Sequence, residues 1–165
     1  MGSKEEAVAA AKQLEVDGRE FYLKKAESAS SAPIKEMFAS LAEDEKKHLE
    51  WLDTMEPGIE SAPSANKELY GKLETVFKGA EADIAAGGAA SDIEAIDVAI
   101  GMEEKSIEAY QAWASGGETD AIKKLGGVLT GVEKFHRQLL ENAKEYLEKP
   151  GDWFLQTERW NFEGG

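Results

Sequence analysis

LAEDEKKHLEWL, residues 41–52, holds one of the two histidines in a chain of 165 residues. Written on a helix, Phe38, Leu41, Glu45, His48 and Leu52 fall on one stripe, because residues three and four apart share a face. A solvated face needs no leucines in that register, and an apolar core excludes an ionised glutamate unless its charge is compensated. The other histidine lies in GVEKFHRQLL, residues 131–140, where Leu125, Leu129, Glu133, His136 and Leu140 repeat the stripe. A Glu-x-x-His pair therefore interrupts an apolar stripe twice.

Around these stretches the periodicity predicts four amphipathic helices, over about residues 3–28, 33–55, 91–114 and 119–149. Ser3 with Glu6, and Ser91 with Glu94, have the spacing of capping boxes. The breaks fall at SASSAP (28–33), Pro57-Gly58, Gly87-Gly88, Gly116-Gly117 and Pro150-Gly151. The first stripe is Val8, Ala11, Glu15, Gly18 and Tyr22, and the third is Ile93, Ile96, Ile100, Glu103, Ile107 and Tyr110. The expected fold is an all-α, antiparallel four-helix bundle spanning residues 1–149, made of two helical pairs joined by a long crossover at 57–90. Residues 150–165 form an aromatic-rich tail with Trp153, Phe154, Trp160 and Phe162, whose rings favour docking on the bundle or on a partner subunit. A homodimer or larger homo-oligomer is expected from it.

The two pairs are versions of each other. Glu15, Tyr22, Glu45 and His48 recur as Glu103, Tyr110, Glu133 and His136, every matched position offset by 88. Positions i and i+3 of a helix are neighbours, so each Glu-x-x-His pair converges on one point. Four buried carboxylates repel unless cations join them; two divalent ions balance them with both imidazoles neutral. Bundles build dinuclear sites in this way, from one Glu on each of two helices plus Glu-x-x-His on each of the other two. Carboxylate and imidazole without thiolate suit iron or manganese, with zinc as an alternative. Glu104 is a rival to Glu103 and Glu20 to Glu15, and the repeat favours Glu103. Tyr22 and Tyr110 fit either core packing or hydrogen bonding to the ligand carboxylates. Within LAEDEKKHLEWL, Glu43, Asp44, Lys46 and Lys47 are expected to be the solvated part. Gly18, Gly101, Gly127 and Gly131 stand at helix-interior positions that cost about 1 kcal/mol each relative to alanine. For Gly18 and Gly131 the expectation is that they clear space beside the metals.

Composition limits the partners. A formal charge of −14 argues against nucleic acid, which requires a lysine- and arginine-rich surface. No apolar run approaches the roughly 18 residues of a membrane span, and no signal peptide opens the chain, so the expected location is cytoplasmic. With no cysteine, thiolate-held clusters, zinc ribbons and disulfides are excluded.

LEVDGREFY (14–22), LAEDEKKHLEWL, GMEEKSIEAY (101–110) and GVEKFHRQLL together resemble the ferritin-like superfamily, and within it the erythrin-type domain of the rubrerythrins, over about residues 5–148. The resemblance implies a di-iron centre of two iron ions held by Glu15, Glu45, His48, Glu103, Glu133 and His136, with Tyr22 and Tyr110 donating hydrogen bonds to ligand carboxylates. It also implies a site that reduces hydrogen peroxide or dioxygen by Fe(II)/Fe(III) cycling, in defence against oxidative stress. Two departures stand out. Rubrerythrins usually carry a further glutamate three residues after the first on the third helix, where this chain has Ser106. They also usually append a cysteine-ligated rubredoxin domain, which a chain without cysteine lacks, so the electrons are expected from an external donor protein. The rival expectations are a ferroxidase or iron-handling protein and a metal-binding bundle without turnover.

Overall fold

Four helices carry the described residues of the computed structural model, which are 4–53 and 89–149: α1 (Lys4–Ser28), α2 (Ala32–Asp53), α3 (Ala89–Gly116) and α4 (Asp120–Glu148). The connector at 57–88, the tail at 150–165 and Ser3 of the first capping box lie outside the described residues. α1 packs along α2 and α3 along α4, the all-α paired architecture expected of a ferritin-like bundle.

The turns that close each pair are chemically defined. Between α1 and α2, the Ser31 carbonyl accepts from the Lys35 N–H, and Pro33 sits in the first turn, where a missing N–H costs nothing. Buried Asp92, on α3, reaches across to this turn and accepts from the Ser30 N–H at 2.9 Å and the Ser31 hydroxyl at 3.5 Å. That contact corrects the expected capping box at Ser91 and Glu94. The helix is already under way at Ala89, so Ser91 is inside it and its hydroxyl meets that of Ser30. Thr119 does cap α4, its hydroxyl accepting from the Ile122 N–H at 3.2 Å. Gly117 donates to the Trp113 carbonyl, and a Cβ there would stand 2.7 Å from that same oxygen.

Two apolar clusters fill the interior. One gathers Tyr22, Ile34, Phe38, Ile96, Leu140 and Tyr146; the other gathers Ala11, Leu52, Tyr110, Trp113, Ile122 and Leu129. On every helix the glutamates and histidines of the repeat fall between the members of these clusters: Glu15 on α1, Glu45 and His48 on α2, Glu103 on α3, Glu133 and His136 on α4. The site is thus a polar layer sandwiched between two apolar ones. The order of the clusters along each helix also fixes direction, antiparallel within each pair, with α2 and α3 running the same way. The end of α2 and the start of α3 therefore lie at opposite ends of the bundle.

Candidate metal centre

None of Glu15, Glu45, His48, Glu103, Glu133 and His136 is more than 3% exposed. The helical i, i+3 spacing brings His48 Nδ1 to 3.1 Å from Glu45 Oε2, and α1 supplies Glu15 Oε2 at 2.9 Å from the same nitrogen. In the second half, His136 Nδ1 faces Glu133 Oε2 at 3.4 Å, Glu45 Oε1 at 3.4 Å and Glu103 Oε1 at 3.6 Å. Glu15, Glu45, His48 and Glu133 offer ligand atoms all within 4.8 Å of one another, as do Glu45, Glu103, Glu133 and His136. Glu45 and Glu133 belong to both groups. The rivals Glu20 and Glu104 are exposed.

Two tyrosines lace the halves together. The Tyr22 hydroxyl donates to Glu103, and the Tyr110 hydroxyl donates to Glu15 Oε1 at 2.7 Å, so each helix of the α1–α3 pair steadies a carboxylate on the other. Both phenols are buried in the core clusters as well, so they pack and hydrogen-bond at once. Burial, with the carboxylates beside them, pushes both hydroxyls up and keeps them protonated donors.

Charge inside this layer is handled by unequal sharing. Burial raises every carboxyl, but at Glu15 hydrogen bonds to Glu45 and His48 outweigh it and bring the group down to about 2. Glu103 is likewise lowered against its burial, through Glu133 and His136. Their partners go the other way: burial and the charge of Glu15 hold Glu45 well above the usual carboxylate range, and burial and Glu103 do the same for Glu133. Burial lowers the imidazoles, yet Glu15 raises His48 on balance, and Asp44 with the three glutamates raises His136 further. In this form the layer retains protons that cations would displace.

A direct test of fit is His136 Nδ1, which is fully buried, faces three carboxylates and makes no hydrogen bond. A nitrogen so placed has a lone pair to give to a cation held by those carboxylates. The residues present fit a divalent metal.

A cavity of about 180 Å³ opens onto the layer between α1 and α3, lined by Glu15, Glu45, Glu103 and Glu133 within and by exposed Asp17 and Lys105 further out. Gly18 belongs to its wall; a Cβ there would come 3.4 Å from Glu45 Oε1. Ser106, matched to Gly18 in the repeat, lines it too. Both residues are small where α1 and α3 face the carboxylates. Gly131 does not share this role: it is exposed, and a Cβ on it would meet nothing within 4 Å. Its place after Thr130 puts it on the outer face of α4.

Asp44 is the residue that sequence reasoning misplaced. Instead of being solvated it is 6% exposed, and its Oδ2 lies 2.7 Å from His136 Nε2 and 3.7 Å from His48 Nε2. One position before Glu45, it points to the far side of the two imidazoles, whose rings stack 5.5 Å apart at 15°. The available signal was its counterpart Val132, an apolar residue at the matched position and buried like it.

A bundle of two helical pairs with a buried layer of four glutamates and two histidines defines a ferritin-like protein with a carboxylate–histidine centre suited to metal. The family model described as Rubrerythrin matches residues 6–144, and the chain belongs to that family. Searches of curated proteins and of solved structures found no match. No helix among the described residues is long and apolar enough to cross a membrane.

Proposed function

We propose that this chain is a di-iron protein that reduces hydrogen peroxide or dioxygen, and that Glu15, Glu45, His48, Glu103, Glu133 and His136 would hold the two ions. The observation that carries the reading is the pair of four-residue groups sharing Glu45 and Glu133 where a small cavity reaches them. When bound, the iron pair would supply two electrons by cycling between Fe(II) and Fe(III), which with two protons converts one hydrogen peroxide to two waters. The residues do the rest. Tyr22 and Tyr110 hold Glu103 and Glu15 in place by donating to them. Gly18 and Ser106 leave room at the carboxylates for a molecule of a few atoms, and the apolar clusters on either side keep bulk water from the layer. An external protein donor is expected to restore the reduced state.

Metal analysis after anaerobic iron loading, followed by peroxide addition to the Fe(II) form with near-ultraviolet detection, tests the reading. Two irons per chain and a rapid absorbance rise are expected; fewer than one iron per chain would remove the centre. Two irons without a spectral response would leave a metal-binding bundle, and a large hollow assembly in solution would favour iron storage. Glu45→Ala removes a side chain common to both groups and is expected to abolish or severely weaken binding of both ions. Normal loading of that variant with two irons would show the assignment of Glu45 to be wrong.

A further inference from the structure

The repeat that unites the two halves fails at one buried position beside the metal layer. Each candidate ligand has a counterpart of the same type 88 residues away, but Asp44 is matched by Val132. Both positions are buried, so the difference is not a surface substitution. The single carboxylate stands behind two imidazoles, and it does not serve them equally: 2.7 Å to His136 Nε2 is a short charge-assisted hydrogen bond, whereas 3.7 Å to His48 Nε2 is beyond hydrogen-bonding distance.

A carboxylate that accepts a ring N–H fixes the tautomer of the histidine and makes its other nitrogen a better donor to a metal. For His136 that other nitrogen is Nδ1, the buried atom without a hydrogen bond that faces Glu45, Glu103 and Glu133. For His48, Nδ1 is engaged with Glu15 and Glu45, and at 3.7 Å from Nε2 Asp44 is too far to fix the proton on the far side. We infer that Asp44 is a positioning residue acting through His136, and that it makes the two metal positions inequivalent, the one containing His136 binding a divalent cation more tightly. This rests on the metal-pair reading above and adds an order to it: the Glu103–His136 side fills first, and the Glu15–His48 side second.

Two ions sharing carboxylates bind unequally even in a symmetric site, so the test isolates each position. His48→Gln leaves the His136 position, and His136→Gln leaves the His48 position. Co(II) titration of each, by calorimetry and visible absorption, is expected to give about 10- to 100-fold tighter binding in His48→Gln. Adding Asp44→Asn to both should collapse that difference to within a few-fold, by weakening His48→Gln alone. In the Co(II)-loaded protein with both histidines, one shifted imidazole N–H resonance should exchange slowly with water and lose that protection in Asp44→Asn. Equal affinities in the two single variants would overturn the inference, as would a difference that Asp44→Asn leaves intact or an equal weakening of both. If neither single variant nor the unsubstituted protein binds Co(II), the metal-pair reading falls and the inference with it.

Discussion

His136 and Glu133 sit three residues apart on one helix, yet both hold protons more firmly than they do in water, and that shapes the response to pH. Four groups have raised values in the folded chain: His48, His136, Glu45 and Glu133. Such groups contribute stability that is fully present below their unfolded values and is lost as pH rises through the folded ones. Glu15 and Glu103 are lowered, so their contribution is present above the ordinary 4.5 and fades as pH falls, for Glu15 toward about 2. Metal-free protein is therefore expected to lose thermal stability as pH rises above the ordinary histidine value of 6.5, a trend scanning calorimetry would reveal. Cations reverse the dependence, because the ligands must shed protons to bind them; affinity should rise with pH, with protons released in calorimetry. Tyr110→Phe removes the donor to Glu15 without removing the ring, and a loss of about 1–3 kcal/mol is expected in urea unfolding of the metal-free protein. At this scale the gathering of residues into one buried layer was legible where a residue type was repeated and missed where it was not. The six glutamates and histidines announced themselves by their offset. Asp44 did not, because the stripe was judged from its ligands; only asking why Val132 is apolar would have shown that the position faces inward.

Helix pairs are set by how closely their backbones approach, and two neighbouring glycines on α4 make the point. A Cβ on Gly126 would lie 2.5 Å from the Tyr110 carbonyl oxygen and 2.6 Å from the Ala114 nitrogen, so α3 and α4 touch backbone to backbone there. Gly127 has nothing within 4 Å. Gly126→Ala is expected to destabilise by about 1–3 kcal/mol through forced separation of the helices, whereas Gly127→Ala should stabilise by about 0.5–1 kcal/mol through helix propensity. Thermal denaturation of the two variants side by side checks both signs. The helices themselves were legible from periodicity and from the Thr119 cap. The Ser91 start was not, since Ala89 and Ala90 continue the helix and Asp92 is committed to the 29–31 turn, a contact 61 or 62 residues away in sequence that no local rule encodes.

Across the whole molecule, the charged layer between two apolar clusters would couple folding to metal. The same ions that would compensate the carboxylates would bind only the folded arrangement, because the six side chains come from all four helices. Each position saturated at 100 times its dissociation constant adds about 2.7 kcal/mol. Mn(II) or Fe(II) is thus expected to raise the melting temperature in a concentration-dependent way, and a chelator to reverse it; unchanged melting with excess metal would contradict the coupling. The bundle, its two pairs and its central layer could be read from the sequence because the repeat imposed them. The cavity was legible only in part: Gly18 was expected to clear space there, whereas Ser106 joins its wall through the placing of α1 beside α3.

Five buried carboxylates surround the two imidazoles, counting Asp44 with the four glutamates. An assembly of two identical hairpins related by a two-fold axis could only hold them in even numbers: an aspartate at the inner position would appear twice, or not at all. One chain carrying both hairpins escapes that parity. Val132 and Asp44 can differ, one carboxylate can lean toward one ring, and a centre built on near-symmetry acquires a front and a back.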